Sequence, residues 1–404
     1  MRTGPAAPTT YAPAMDGAVV RAVGGLTTRW AARAVTGERG TVLTAAGVWP
    51  LLALLADGAG GPARAELAEA LGVPAGSAAR AARDLLGALA GVRGLEAATG
   101  LWTRAGLPLE EPWRARLPEG ARGVLSGDAE TDAGTLDAGA SERTGGLIER
   151  MPVAVRRDTL LVLASALALR LRWIRPFSPW CPELTEGPWA GREVSGLYRE
   201  TALLDRVRVA RTPAGPVTLL EVVGDTGVDV HLVLGEPGEV LAGGIAAATR
   251  TIPATGASLL PEGEPGPGLS IGTVASSSRQ PRLSVETVAF SVDADHDLLR
   301  QAALFGLRSA SDVRTGHFPG ISGTPLAVGS ARQVAVARFD AEGFEAAAVT
   351  AGGLGAGCAE PRLAYRVRHA EVRFHRPFGF VAVHRTSRLV LAAGWVNDPD
   401  IVSG

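Results

Sequence analysis

Hydrophobic and polar positions along this chain follow two periods, and the helical period dominates the first part. Apolar residues recur every three or four positions from Val19 to Ala34 and from Pro62 to Gly72, which predicts amphipathic helices. The apolar run from Thr44 to Ala56 predicts a buried helix. Leu160 to Leu171 is also apolar almost throughout, and this continuity predicts a central strand that is buried on both faces of a sheet.

Strand-like patterns become more frequent later in the chain. Between Leu203 and Val240, apolar runs alternate with Gly, Pro and Asp turns, as in hairpins. The tract from Gly243 to Pro281 is rich in Gly, Pro and Ser, which predicts a variable surface region. Helices first and strands last, without regular alternation, predict an α+β fold. Shorter elements are also predicted, namely strands over Leu95–Arg104 and Leu283–Val292, and helices over Ala138–Met151 and over Asp295–Leu307, the last capped by Asp295 or Asp297.

Composition and charge narrow the classes of function. The 404 residues are 46% hydrophobic, enough for a large core, and length alone suggests two or three domains. The formal net charge of -1 gives no reason to expect a nucleic acid or an anionic membrane as partner. The two cysteines, Cys181 and Cys358, do not make a disulfide framework. No motif predicts a metal site or a cofactor, and no residues form a coherent catalytic constellation.

The two ends of the chain differ in character. Residues 1–15 are predicted to be a disordered leader without an apolar run of signal length, and residues 16–404 to be folded. The longest apolar stretch, Val42 to Ala56, is too short to span a bilayer and contains Pro50. The sequence by itself therefore predicts a cytoplasmic protein.

The segment with the most specific pattern is Asp340-Ala-Glu-Gly-Phe-Glu-Ala-Ala-Ala-Val-Thr350, which comes after a strand-like run over 333–339. Farther along comes Arg376-Pro-Phe-Gly-Phe380. An acidic-Gly-x-Glu-Ala-Ala-Ala-x-Thr pattern ahead of x-Arg-Pro-Phe-x-Phe resembles the hinge and reactive-centre loop of a serpin.

Four further segments resemble serpin motifs in the family's order. They are a helix ending in Gly-Ala-x-Gly (Val42–Gly61), a central strand with its Trp-x-x-Pro-Phe exit (Thr159–Phe177), a segment similar to Asp-Leu-Ser-Gly-Ile (Gly316–Ser322) and a closing strand similar to one ending in Gly-Arg-Val (Leu389–Val396). The resemblance implies one serpin domain over 16–404, with three sheets and eight or nine helices. Arg without any Lys, together with 52 Gly, is typical of a GC-rich genome, so we expect a bacterial member.

The resemblance implies a suicide inhibitor of serine or cysteine proteases, not an enzyme, and a monomer. A protease would cleave the loop, residues 343–370, and become an acyl-enzyme, after which the loop would insert into the central sheet. Family analogy allows an extracellular location as well. The implied hinge comprises Glu342, Gly343, Phe344, Glu345, Ala346, Ala347, Ala348, Val349 and Thr350.

Side chains of an inserted strand alternate between core and solvent. Counting from Phe344 gives a core-facing set of small residues after the first ring, and the segment's only charge falls on the opposite set, which begins at Glu345. A strand with no Pro and no inward charge can enter a preformed gap. The core-facing set is Phe344, Ala346, Ala348, Thr350, Gly352, Leu354 and Ala356.

Two positions compete for the scissile bond. Family spacing from Gly343 points to Gly357–Cys358, whereas spacing back from Pro377 points to Arg366–Val367. Arg362 is a further alternative, and an Arg at either site would suit a trypsin-like protease. Cleavage at Arg366 would leave slack on the hinge side, which favours a bond near Cys358.

Other positions depart from the family pattern. Phe344 stands where Thr or Ser is usual. A buried polar cluster beneath the sheet opening normally carries Ser, Asn and His, and here has Gly47, Ser165 and Gln333, with Trp173 near the loop's insertion point. Losing polar partners together can be neutral, and the lost volume is expected to make room for the phenyl ring. These departures leave open a second function, a non-inhibitory serpin fold that acts as a binding or interaction protein.

Overall fold

A computed structural model describes residues 15–153, 155–156, 158–235, 240–344 and 363–402. These residues contain eight α-helices, and none is both long and apolar enough to cross a membrane. The helices are α1 (Gly17–Ala34), α2 (Ala45–Gly58), α3 (Gly61–Leu71), α4 (Ala75–Ala90), α5 (Glu111–Arg114), α6 (Ala129–Arg143), α7 (Val240–Ala248) and α8 (Ala302–Phe305).

The described strands form three sheets. In chain order they are β1 (Thr41–Leu43), β2 (Leu95–Arg104), β3 (Arg122–Leu125), β4 (Leu161–Leu169), β5 (Leu171–Arg172), β6 (Ser178–Trp180), β7 (Gly196–Thr201), β8 (Val207–Thr212), β9 (Gly215–Val223), β10 (Val228–Leu234), β11 (Ala254–Gly256), β12 (Gly263–Gly266), β13 (Leu269–Ser276), β14 (Arg282–Val288), β15 (Phe290–Asp297), β16 (Ser330–Phe339), β17 (Gly343–Phe344), β18 (Tyr365–Arg373), β19 (Phe378–His384) and β20 (Val390–Val396).

The order of strands gives each sheet its identity. The first sheet runs β1-β20-β19-β10-β9-β8-β11 and the second runs β12-β13-β18-β14-β7-β6. The third runs β3-β2-β4-β16-β17-β5, with β15 also paired to β16. The predicted α+β fold with three sheets is confirmed.

Strand β4 lies at the centre of the third sheet, as its apolar sequence predicts. All nine residues are buried, and the strand pairs antiparallel with β2 and parallel with β16. Leu161 and Leu163 join the main core together with α2, whereas Val162 and Ala164 pack beneath α6. Helices therefore cover both faces, which is why the strand shows no polar alternation.

The helix predicted over Ala138–Met151 is misplaced by about half its length. The observed α6 begins after Asp128, whose Oδ1 accepts the backbone N–H of Thr131 at 2.9 Å. It ends before Gly145 and Gly146, which both have positive φ. The N-cap and the two glycines, not the apolar spacing, set its limits.

The strand predicted over Leu283–Val292 is two strands in different sheets. The chain passes from β14 to β15 at Ala289, whose N–H donates to Ser195 O at 2.8 Å. The helix predicted from Asp295 is also wrong at its start, because β15 pairs with β16 as far as Asp297↔Arg332. Asp297 then accepts the Leu299 N–H at 3.0 Å and caps a short 3₁₀ turn, so this alternative for the cap is confirmed.

The tract over Gly243–Pro281, predicted to be a variable surface region, holds most of α7 and the strands β11, β12 and β13. A Cβ at Gly244 would lie 2.5 Å from Cγ1 of Val233, so glycine allows α7 to approach β10 closely. Strand β13 of the β12–β13 hairpin pairs with β18 from Tyr365 to Val372, which leaves β18 between β13 and β14. Helix α4 was not predicted.

A buried ion pair joins the turn after β19 to β10. Asp229 is 1% exposed, and both of its oxygens accept from Arg385, at 2.6 Å from Nη2 and 2.9 Å from Nε. Arg385 Nη2 also donates to Gly224 O at 2.7 Å. The guanidinium is therefore the main compensation for a carboxylate that is shielded from water.

We expect Arg385→Ala to lower the free energy of unfolding by about 3–5 kcal/mol, because it leaves a buried carboxylate without its partner. Asp229→Asn in the same background should recover part of the loss. Arg192→Ala is the control, because its ion pair with Asp398 is exposed and worth less than about 1 kcal/mol. Urea denaturation measures all three, and equal losses for the two Arg variants would contradict this assignment.

Candidate functional site

A tight turn connects β16 to β17. Oδ1 of Asp340 accepts the backbone N–H groups of Glu342 at 2.8 Å and Gly343 at 2.9 Å. The N–H of Asp340 donates to Gly343 O at 3.0 Å. An Asp that bonds its own following backbone is well suited to such a turn, and here it directs the chain back along β16.

The turn places β17 between two other strands. Phe344 pairs with Phe339 of β16 on one side and with Leu171 of β5 on the other. A Cβ at Gly343 would lie 2.3 Å from the carbonyl oxygen of Leu171, a backbone atom that cannot move aside cheaply. Glycine is therefore required at 343 by the close approach of β5.

Phe344 is 1% exposed, and its ring centroid lies 6.0 Å from that of Phe380. The expectation that its ring uses space freed in the polar cluster is wrong. Gln333 of that cluster lies along β16 from Phe339, and the separation between them is about 20 Å at the usual rise per residue. The phenyl ring instead joins an aromatic cluster at the other end of the sheet.

Trp173 donates two hydrogen bonds to the turn between β16 and β17. Its indole Nε1 donates to Asp340 O at 3.0 Å, and its backbone N–H donates to Glu342 O at 2.9 Å. Its ring lies 4.9 Å from Phe339. The side chain is buried at the start of β17, where core packing near the insertion point was predicted.

The guanidinium group of Arg199 lies against the segment that follows Trp173. Cζ of Arg199 is 4.2 Å from the ring centroid of Phe177, and its Nη1 donates to Arg175 O at 2.8 Å. Burial, with the nearby Arg175 and Arg206 charges, lowers the pKa of Arg199 to about 10, so it stays charged at neutral pH. Phe177 in turn donates its N–H to Ala341 O, which connects this cation to the turn.

The cluster at Gly47, Ser165 and Gln333 does come together. Gln333 Oε1 accepts the Thr44 N–H at 2.9 Å and its Nε2 donates to Thr44 O at 2.7 Å, so the amide satisfies the backbone at the start of α2. Ser165 Oγ is buried and has no hydrogen-bond partner within the described ranges. A Cβ at Gly47 would lie 2.4 Å from that oxygen.

The other predicted site residues divide between described and undescribed positions. Arg366 is exposed and lies in β18, paired with Ala275, and its neighbour Val367 is buried. No described group of three or more His, Cys, Asp or Glu could hold a metal ion. The remaining predicted residues lie outside the described ranges, namely Glu345, Ala346, Ala347, Ala348, Val349, Thr350, Gly352, Leu354, Ala356, Gly357, Cys358 and Arg362.

Two contributors were missed by the sequence analysis. The motif includes Asp340 only as an acidic residue and does not predict its part in the turn. An Asp that accepts the N–H groups of the second and third residues after it is nevertheless a recognisable turn signal. The pairing of β13 with β18 was also missed. The alternation of Leu269 and Ile271 with exposed Ser270 was its only local signal.

We expect Gly47→Ala to lower the melting temperature of the intact protein, through an overpacking cost of about 1–3 kcal/mol. Ser165→Ala should restore stability in the double variant, because it removes both the clashing oxygen and an unpaired hydroxyl. Gly87→Ala in α4 is the matched control, since nothing lies within 4 Å of its added methyl. The same melting temperature for the two glycine variants would rule out the contact.

The sequence matches the family profile described as Serpin (serine protease inhibitor) over residues 30–185 and 272–399. A search of curated proteins finds no significant match.

Several solved structures have a similar fold. Human thyroxine-binding globulin complexed with thyroxine superposes with a TM-score of 0.70 at 16% identity, covering 96% of this chain and 99% of that one. Native protease nexin-1 with heparin gives 0.70 at 16%, covering 95% and 99%. Serpin48, a highly specific serpin of the insect Tenebrio molitor, gives 0.69 at 18%, covering 95% and 99%. With the profile match over more than half its length, this chain belongs to the serpin family.

Proposed function

We propose that this protein is a suicide inhibitor of serine or cysteine endopeptidases, acting as a monomer. The protease cleaves the reactive-centre loop, residues 343–370, and is trapped as an acyl-enzyme while the loop inserts between β4 and β16. The observation that carries the proposal is the position of β17, which already lies between β16 and β5. Strand β17 therefore occupies the position in the sheet at which an inserted strand would begin.

Continuing the register of β17 predicts the partners of an inserted strand. Ala348 would pair with Ala335 of β16 and with Leu167 of β4, which are both buried. Alternate residues of β16 from Ala331 to Phe339 are buried, so the same side of the new strand faces the core. This register agrees with the core-facing set of small residues proposed from the sequence.

The same register brings Thr350 level with Ser165 and Gln333. Ser165 Oγ has no partner in the described part of the chain, and a threonine hydroxyl is a suitable one. Insertion would thus satisfy a buried oxygen that has no partner among the described residues. This gain adds to the backbone hydrogen bonds that the new strand makes on both of its edges.

Insertion requires β4 and β16 to separate along six residue pairs, from Ser330↔Val162 to Ala335↔Leu167. Each lost ladder bond is replaced when the loop fills the gap, and a second ladder forms on its other edge. The uncleaved protein is therefore held by a kinetic barrier, not by lower free energy.

The reactive bond is best placed at Gly357–Cys358. The rival bond, Arg366–Val367, lies in β18, where Arg366 is paired with Ala275. A protease needs an extended backbone that can leave its own sheet, and β13 pairs with both Arg366 and Val367 of β18.

A second function, a non-inhibitory binding protein, is favoured by one observation. Phe344 is 1% exposed at the point where the strand must begin to move. A bulky anchored residue there raises the barrier to further insertion. An inhibitor traps its protease as an acyl-enzyme and a binding protein does not, so one experiment separates the two functions.

We expect incubation with a panel of serine and cysteine proteases to give an SDS-stable complex with at least one, and cleaved protein to melt at a higher temperature. Ala348→Arg should abolish the complex without affecting folding, because insertion would bury an unpaired guanidinium. Ala347→Arg is the matched control, since it falls level with the half-buried Val336 on the opposite face, where a long side chain can reach water. An unchanged melting temperature after cleavage would leave the binding-protein function.

The captured bond is a separate prediction. Cleavage at Gly357–Cys358 gives a hinge-side segment of usual length that pulls the acyl-enzyme tight, whereas cleavage at Arg362 leaves slack and should yield turnover. Mass spectrometry of the C-terminal peptide from a trapped complex should find Cys358 at its start. A peptide that begins at Val367 would refute the assignment and indicate a trypsin-like target.

A further inference from the structure

A small cavity with a marked excess of positive charge lies where the C-terminal end of α7 meets β9 and β10. Its volume is about 10 Å³, which is room for one oxygen atom. Six side chains with polar groups line it, namely Arg206, Arg208, Glu221, His231, Arg250 and Arg388.

His231 forms the inner wall and lacks a partner. It is 5% exposed on β10, and its Nε2 makes no hydrogen bond within the described ranges. A buried ring nitrogen without a partner costs free energy, so an oxygen atom, of a water or of a ligand, belongs in the cavity. Burial lowers the pKa of His231 to about 4, so the ring is neutral at pH 7 and can carry one N–H toward the cavity.

The four arginines outnumber the two carboxylates near them, which are Glu221 in the cavity and Asp205 beside Arg208 in the adjoining groove. Arg206 donates to Glu221, and Arg208 Nη2 lies 3.9 Å from the same oxygen. The guanidinium groups of Arg250 and Arg388 make no hydrogen bond or ion pair with described residues. Burial, together with their mutual repulsion, lowers the pKa of Arg388. Three of the four cations are thus only weakly compensated.

Backbone geometry singles out the same two arginines. Arg250 and Arg388 have φ of 62° and 63°, and no other described residue except glycine has positive φ. Left-handed backbone at a non-glycine residue is unfavourable and concentrates at functional sites. Both residues line this one cavity, Arg250 from the turn that ends α7 and Arg388 from the turn between β19 and β20.

An open groove of about 400 Å³ continues outward from the cavity and shares Arg206, Arg208 and Glu221 with it. Its remaining lining is largely apolar and includes Leu203 and Leu204, together with Asp205, whose Oδ1 accepts the Ser258 N–H at 3.0 Å. The groove therefore offers room for an uncharged body attached to an anionic head.

We propose that this cavity and groove bind a small molecule that carries a phosphate or sulfate group. One oxyanion oxygen enters the cavity and accepts from His231, and the others accept from Arg208, Arg250 and Arg388, whose planar donors suit such groups. Glu221 holds Arg206 and Arg208 in place, and Asp229, which is occupied by Arg385, does not compete. The site is independent of loop insertion.

Isothermal titration with inorganic phosphate and with phenyl phosphate tests the proposal, at constant ionic strength set with sodium chloride. We expect both probes to bind. Phenyl phosphate binding at least tenfold tighter would identify an organic ester as the ligand class, and equal affinities would identify the free oxyanion.

Arg250→Gln combined with Arg388→Gln should weaken binding of either probe at least tenfold. Arg300→Gln combined with Arg314→Gln is the matched control, because it also removes two charges, both exposed and away from the cavity, and should leave affinity unchanged. Circular dichroism and melting temperature establish that each variant is folded. Absence of binding by both probes, or equal affinity in the double variant, would overturn the proposal. His231→Leu, which removes the donor alone, gives a second test with the same expected direction.

Discussion

The parallel pairing of β4 with β16 is the interaction on which the rest of the structure depends. It joins the two halves of the largest mixed sheet, yet it ends at Ala335↔Leu167, beyond which β17 and β5 take over. Because α2 packs on the core face of β4 and the opposite face is only half-buried at Val334 and Val336, a strand added here would be fully buried on its core face. Any segment that enters this position must therefore be extended, uncharged on its core face and small, which limits the hinge sequence more strictly than hydrogen bonding does.

Elements whose pattern is local were predictable from the sequence. The buried strand β4 and the helices α1 to α3 follow from apolar spacing that spans each element, so distant residues had little to add. The division at Ala289 could not be predicted in this way, because β14 and β15 take different partners that lie far away in the sequence. Helix α7 is not predicted because its glycines have a low helix propensity. The close approach of Val233 nevertheless favours glycine at position 244.

The sequence predicts which residues form the site but not which atoms they contact. The motif located Gly343 and Trp173, and geometry supplied the reasons, which are the carbonyl of Leu171 and the turn at Asp340. The polar cluster was recognised by position only. That Gln333 uses both amide atoms on Thr44, and that Ser165 has no described partner, depends on side-chain directions that no local pattern records.

The hairpin β12–β13 has a consequence for how copies of this protein meet. Without it, β18 would present a row of unpaired backbone groups, which is a template for joining sheets of two molecules. The outermost strand is instead β12, only four residues long, with an irregular register and with Glu264 and Pro265 inside it. A short edge strand with a charge and a proline pairs poorly with a strand of another molecule. The hairpin therefore replaces a long edge strand that could pair with another copy by a short one that disfavours aggregation.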